Sequence, residues 1–246
     1  KYFMIKTYIV GTGYLSQELT EELPNSKIFS AKQFIRELPQ INKSKEKFNL
    51  ILNSFYSSKK LYNLYSYKVF VDKSLTEIAD VFDRINPKNI KKILYTSSSS
   101  VYGSINEKIK ISDQNNRYIY SSLKLSSEMM IKNFSNKFKI DLDICRIFNL
   151  YGQNDNFSII SKLRLLSKNN NEKLKVFNNG QSVRDFIHVN DVAKIYKKLL
   201  LTKGSDIIDI GTGKGLKIIE IIKNLKIPKK KILFKKNTMY EIHESI

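Results

Sequence analysis

A chain of 246 residues, 41% hydrophobic and 27% charged, can bury one core and a small annex, and none of its apolar runs approaches the ~20 residues that cross a bilayer. Its single cysteine, Cys145, has no partner for a disulfide or a thiolate metal site, which together with the lack of a signal-peptide pattern points to a cytoplasmic setting. The formal net charge of +20 is spread over most segments and comes with no zinc-ligand spacing, heptad-bearing basic helix or aromatic RNA-binding signature, so neither nucleic acid nor a membrane is expected as a partner.

In chain order the patterns alternate. YIVGTG (8–13) reads as a strand running into glycines, YLSQELTEEL (14–23) as a helix, KIFS (27–30) and NLILNSF (49–55) as further strands. SLTEIADVFDRI (74–85) has helical spacing, KKILYTSS (91–98) is a fourth strand, YSSLKLSSEMMIKNFSNKF (120–138) a long amphipathic helix, and DLDICRIFNLYG (141–152) a fifth strand. Strands that alternate with helices predict a doubly wound α/β fold, a parallel sheet covered on both faces. After Gly152 the regular alternation is lost, and a helix at 158–168, the strand-like KLKVF, VRDFIHVNDVAKIYKKLL, DIIDIGTGKG, a helix at 216–225 and KKILFKK follow. The predicted division is 1–152 with about 183–205 as one α/β domain, and 153–182 with 206–246 as a small C-terminal lobe.

Gly11-Thr12-Gly13-Tyr14-Leu15-Ser16 lies between a strand and a helix, the setting in which backbone N–H groups and the helix dipole meet a pyrophosphate. The second strand of such folds normally ends in an acid that binds the adenosine ribose of NAD; here it gives Ser30-Ala31-Lys32, and Lys32 suits the 2′-phosphate of NADP. Further on, Tyr120-Ser121-Ser122-Leu123-Lys124 sets a phenol and an ammonium one helical turn apart on one face. A nearby positive charge in a partly dry site lowers a phenol's pKa, so Tyr120 is expected to exchange a proton with an alcohol or ketone near neutral pH.

Taken in order, the glycine turn, Ser97-Ser98-Ser99-Ser100-Val101-Tyr102-Gly103, Tyr120 with Lys124, Arg146-Ile147-Phe148-Asn149-Leu150-Tyr151-Gly152, and the stretch from Val183 to Val192 make the chain resemble an extended short-chain dehydrogenase/reductase of the NAD-dependent epimerase/dehydratase family. IGTG at 210–213 is similar to a further family element. The resemblance implies a Rossmann domain, an NAD or NADP cofactor and a nucleotide-sugar substrate. It selects Ser98 from the serine run to hydrogen-bond the reacting sugar oxygen, makes Tyr120 the acid/base, and gives Lys124 the tasks of tuning Tyr120 and holding the nicotinamide ribose. Gly11, Thr12, Gly13, Tyr14, Leu15, Lys32 and Asn53 complete the implied cofactor set, and Asn149 and Arg184 the contacts to the substrate diphosphate, for which a guanidinium has suitable bidentate donors. His188 reads as structural.

Departures from the family pattern refine the expectation. Its usual G-x-x-G-x-x-G turn is one residue shorter here and ends in Ser16, and the stretch before the serine strand lacks a strand–helix unit, a compactness similar to the family's 4-keto-sugar reductases. Dehydratases carry Asp-Glu directly after the catalytic hydroxyl, where this chain has Ser99-Ser100, so dehydration is not expected. A 4-keto-sugar reductase leads, a nucleotide-sugar 4-epimerase is the alternative, and a non-catalytic NAD(P)-binding regulator is a reading of another class, disfavoured by the intact Ser98, Tyr120 and Lys124. The short second lobe leaves a site that is either open or completed by a second copy in a homodimer.

Overall fold

The computed structural model describes residues 5–55, 66–103, 116–168, 172–236 and 244–246. Strand β1 (Thr7–Val10), buried at every residue, passes through the glycine turn into helix α1 (Tyr14–Glu22). Next come β2 (Ser26–Phe29), α2 (Ala31–Lys43) and β3 (Phe48–Leu52). Helix α3 (Tyr67–Val71) continues through a π-turn at Asp72–Thr76 into α4 (Glu77–Arg84). They are followed by β4 (Ile90–Ser98), α5 (Asn116–Phe138) and β5 (Asp141–Ile147). The remainder comprises β6 (Asn149–Tyr151), α6 (Ile159–Lys168), β7 (Leu174–Val176), β8 (Val183–His188), α7 (Val189–Leu199), β9 (Asp206–Ile210), β10 (Gly215–Lys217), α8 (Ile218–Asn224), β11 (Ile232–Phe234) and β12 (Glu244–Ser245).

The large sheet has the order β2-β1-β3-β4-β5-β9, with every neighbouring pair parallel. It is the expected doubly wound, Rossmann-like α/β architecture. One face is covered by Phe34, Leu38 and Ile41 of α2, Ile78, Val81 and Phe82 of α4, and Ile131 of α5. Leu15 and Leu19 of α1 and Val192, Ala193 and Tyr196 of α7 cover the other. Each such fully buried side chain contributes roughly 1.5–3 kcal/mol.

Three features differ from the predicted elements. Helix α2 has no counterpart among them, although its apolar residues fall at 31, 34, 38 and 41 and Ser30 with Gln33 forms a capping box at its start; Pro39 inside the helix and its many polar residues mask the period. The run 141–152 is two strands: the Phe148 N–H still bonds Ile210 O of β9 at 3.0 Å, and from Asn149 onward β6 pairs with β8 instead of continuing in the large sheet. Strand β9, placed by the sequence in the C-terminal lobe, pairs with β5 from Asp143↔Asp206 to Ile147↔Ile210 and forms the edge of the large sheet. A second apolar cluster does exist apart from that sheet, built from Ile160, Leu163 and Leu166 of α6, Val176 of β7, α8 and Ile232 of β11.

At the opposite end of the sheet from the strand termini that carry the motifs, Lys92 and Asp143 form an ion pair at 2.6 Å, both side chains almost wholly buried. Lys92 Nζ also donates to the carbonyl and hydroxyl of Thr202, at 3.1 and 2.9 Å. Removing one partner of a buried pair strands the other charge. Asp143→Asn is therefore expected to lower unfolding stability by about 3–5 kcal/mol in urea titrations, against less than ~0.5 kcal/mol for Asp141→Asn at the start of the same strand. Equal effects at the two positions would contradict this account.

Candidate active site

All three strands β1, β2 and β3 close on Gly11. Its N–H donates to Phe29 O at 2.7 Å, and the Asn53 N–H donates to Val10 O at 2.8 Å. With φ at 133°, a Cβ on residue 11 would lie 2.5 Å from the carbonyl carbon and oxygen of Asn53. Only glycine permits that crossing of β1 against β3. Gly13 is the N-cap of α1 and makes no side-chain cap bond, and nothing lies within 4 Å of where its Cβ would be. Ser16, in the place of the third glycine, is fully buried and accepts a hydrogen bond from Asn53 Nδ2 at 2.7 Å. The small side chain lets α1 sit close to β3, and the hydroxyl fastens the two. An open helix N-terminus above a glycine turn fits the pyrophosphate of a dinucleotide.

Around the turn the other expected cofactor residues divide. Thr12 is exposed beside the opening and Leu15 is buried in the core. Tyr14 has its ring edge-on to Phe157 at 5.6 Å, and burial, followed by the nearby Asp155, pushes its phenol pKa upward. Lys32 does not end β2; that strand stops at Phe29, Ser30 caps α2, and Lys32 stands exposed on the helix's first turn.

β4 and α5 bring Ser98, Tyr120 and Lys124 together. Ser98 ends the strand and caps a 3₁₀ turn at Ser99–Tyr102, its Oγ accepting from Ser100 N at 3.2 Å. Helix α5 docks on this strand end through Ser121 Oγ, which donates to Ser100 O at 2.8 Å, and this sets Tyr120 beside Ser98. Burial pushes Tyr120 up to about 12, with Ser98 acting in the opposite direction. Lys124, one turn on, is buried and donates from Nζ to Thr96 O at 2.7 Å. Burial pulls it down to about 7, opposed by the charge of Glu128. The depressed phenol expected from the Tyr–Lys spacing is thus reversed: desolvation dominates, and the ammonium is engaged with a backbone carbonyl. Its Nζ lies 6.0 Å from the Tyr120 ring centroid but 4.0 Å from that of Phe55. Phe55, which the sequence reading did not single out, also meets Tyr120 edge-to-face at 5.2 Å.

Beneath the trio lies a second unanticipated group. Glu128, four residues beyond Lys124, is buried and accepts from Ser97 Oγ at 2.5 Å and from Arg146 Nε and Nη2 at 3.1 and 2.7 Å. The Arg146 guanidinium stacks over Tyr102 at 4.6 Å, and the Tyr102 hydroxyl donates to Asp209 at 2.9 Å. Only the i, i+4 spacing of Lys124 and Glu128 was available as a sequence signal.

Asn149 and Arg184, expected at the substrate diphosphate, lie on the paired strands β6 and β8. Asn149 Nδ2 donates to Asp185 O at 2.9 Å, and Arg184 Nη1 to Val183 O at 2.7 Å. Asp185 shapes the IGTG loop, its carboxylate accepting from Thr212 N, Thr212 Oγ1 and Gly213 N at 2.6–2.7 Å. A Cβ on Gly211 would sit 2.4 Å from that carboxylate. His188 caps α7, accepting from Asn190 N at 3.3 Å, a structural task as expected. Among the described residues no cluster of His, Cys, Asp and Glu is arranged to hold a metal, and no helix is long and apolar enough to cross a membrane.

The sequence profile of the NAD dependent epimerase/dehydratase family matches residues 36–211. A UDP-glucuronate 4-epimerase from Thermodesulfobacterium geofontis is 25% identical over 167 residues, 64% of this chain and 50% of that protein. The chain spans about half the length of the curated relatives it matches first. Among solved structures, a UDP-N-acetylglucosamine 4-epimerase from Methanobrevibacter ruminantium M1, in complex with UDP-N-acetylmuramic acid, superposes with a TM-score of 0.75 at 20% identity, over 98% of this chain and 88% of that one. MoeE5 in complex with UDP-glucuronic acid and NAD gives 0.77 at 16% identity, over 97% and 88%. At such identities these structures establish a shared fold.

The two glycines of the turn separate folding from binding. Gly11→Ala is expected to cost about 2 kcal/mol or more in urea unfolding, since the methyl meets the Asn53 backbone at a φ that alanine resists. Gly13→Ala, at φ −70° with open space above it, is expected to change stability by less than about 1 kcal/mol yet to weaken NAD binding measured by calorimetry, because the methyl fills the approach. Undiminished NAD binding by a folded Gly13→Ala would contradict the placement of the pyrophosphate.

Proposed function

The chain belongs to the NAD-dependent epimerase/dehydratase family, and on that premise we propose that it is a nucleotide-sugar 4-epimerase. The observation that carries the reading is the docking of α5 on the end of β4, with Ser121 Oγ donating to Ser100 O at 2.8 Å and Lys124 Nζ to Thr96 O at 2.7 Å, which sets Tyr120 and Lys124 beside Ser98 at the same sheet edge as the glycine turn. Bound NAD supplies the chemistry of taking a hydride from the sugar carbon and returning it. Of the expected set, Gly11, Thr12, Gly13 and Asn53 lie at the glycine turn and are assigned to its pyrophosphate end together with the backbone of Tyr14 and Leu15, Lys32 on the first turn of α2 is assigned to its adenosine end, and Tyr120 and Lys124 to the nicotinamide end.

The protein's own residues handle the proton. Ser98 orients the reacting sugar oxygen by a hydrogen bond, and Tyr120 exchanges a proton with that oxygen. A phenol held near 12 keeps its proton at neutral pH, so it is poised as the donor when a carbonyl is reduced; Lys124 supplies the nearby positive charge that eases the reverse transfer. Asn149 and Arg184, on the small sheet facing this edge, are assigned to the diphosphate of the substrate. Ser99 and Ser100 stand where dehydratases carry an acid and a base, leaving the elimination of water without an agent. Residues around α6, β7, α8 and β11, with their own apolar cluster, serve as the substrate-side lobe.

The UDP-glucuronate 4-epimerase relative, 25% identical, supports epimerisation over the reductase that the sequence placed first. A 4-keto-sugar reductase remains the second reading, supported by the compact six-stranded sheet and the protonated phenol. Product analysis separates them: an epimerase interconverts two UDP-hexoses with no net use of NADH, whereas a reductase consumes one NAD(P)H for each keto sugar.

Tyr120→Phe is expected to keep the fold and NAD binding while turnover of UDP-hexoses, followed by NMR of the sugar protons, falls about 10²–10⁴-fold. Ser98→Ala is expected to lose less, since it orients the oxygen without carrying the proton. Unchanged turnover in Tyr120→Phe would overturn the assigned mechanism.

A further inference from the structure

A charge pair buried against the reacting residues needs an explanation, since well-packed apolar side chains in the same volume are often as stable. Glu128 touches every element that carries the trio. It grows from α5, the helix of Tyr120 and Lys124; it receives the hydroxyl of Ser97, the neighbour of Ser98 on β4; and it is held by two bonds from Arg146 on β5. Arg146 in turn is braced by the Tyr102 ring, which belongs to the turn that Ser98 caps. We propose that Glu128 is a positioning residue of this site: its carboxylate locks the end of β4 to α5 and sets a negative charge one helical turn from Lys124.

The surroundings of Lys124 leave that second task to Glu128. From β4, Tyr95 approaches with its ring centroid 5.0 Å from Nζ, and burial holds its phenol uncharged. On α5 itself, Tyr120 is likewise held protonated by burial. The segment after β3 contributes the neutral Phe55 ring, and the Thr96 carbonyl contributes a single acceptor. The charge that β5 brings, on Arg146, is turned toward Glu128. Among the described residues, Glu128 is the charged group that opposes the burial of Lys124, whose ordinary value is drawn down to about 7. Neutralising it removes that support, so the ammonium loses its proton at lower pH.

The titration of Lys124 in the full chain tests this without any ligand. The protein labelled with [13Cε]lysine is followed by NMR against pH, and Lys124 is the signal missing from Lys124→Arg. A midpoint near 7 is expected in the wild type, falling by roughly 1–2 pH units in Glu128→Gln and staying close to the wild-type value in Glu128→Asp, which keeps the charge. The alkaline limb of kcat/KM should move with it, a corollary that rests on the proposed epimerase reading; the NMR midpoint does not. Should Glu128→Gln leave Arg146 stranded and unfold the chain, Glu128→Gln with Arg146→Met removes both charges and is read in the same way. A midpoint shifted by less than about 0.3 unit in the folded variant, or failure of both variants to fold, would reduce Glu128 to a structural ion pair and overturn the proposal.

Discussion

Because each neighbouring pair in the six-stranded sheet runs parallel, all six strands end at one edge, and whatever chemistry the chain performs is confined to the loops that leave it. The glycine turn leaves β1, Asn53 and Phe55 leave β3, and Ser98 ends β4. Phe148, just past β5, still bonds β9 of the large sheet, and Asn149 after it begins the pairing with β8. Residues 42 positions apart in sequence, Gly11 and Asn53, meet with no room for a single methyl group between them. Helix α5 then packs on one face of the sheet and is tied to the end of β4 by Ser121 and Lys124, which places Tyr120 beside Ser98.

Burial has opposite electrostatic consequences for the two titratable members of this arrangement. Desolvation penalises whichever form is charged, so it raises Tyr120 and lowers Lys124. The site at rest therefore pairs a protonated phenol with an amine close to its midpoint. Glu128 sits one turn below that amine with a guanidinium of its own, so the balance at Lys124 depends on a network spanning α5, β4 and β5. In such a network the spacing of Tyr120 and Lys124 is only the visible part.

Much of this architecture was legible in the sequence, for identifiable reasons. β1, β3, β4 and β5 are apolar runs closed by glycine, asparagine or serine, and parallel strands buried on both faces read in that way. Tyr120 and Lys124 stand out in the sequence because a four-residue spacing puts them on one helix face, whereas Ser98 is singled out from four serines only by the resemblance to the family. Glu128 escaped notice because its partners come from β4 and β5, 31 and 18 residues away, and one glutamate on a long helix carries no signal by itself. Helix α2 was hidden by Pro39 and a polar surface. The membership of β9 in the large sheet follows from pairing with β5, a long-range choice that a five-residue strand does not announce. Lys32 falls on the first turn of α2 rather than at the end of β2, because the capping box at Ser30 starts the helix straight after Phe29.

Everything proposed for Ser98, Tyr120 and Lys124 requires a dinucleotide at the glycine turn. The direct measurement is to denature the purified chain, separate the released small molecules by chromatography and identify them by mass spectrometry, then titrate the emptied protein with NAD and NADPH. Release of NAD, or its saturable rebinding with loss of affinity in Gly13→Ala, is the expected result. A chain that releases no nucleotide and binds neither dinucleotide at millimolar concentration would contradict the account at its base.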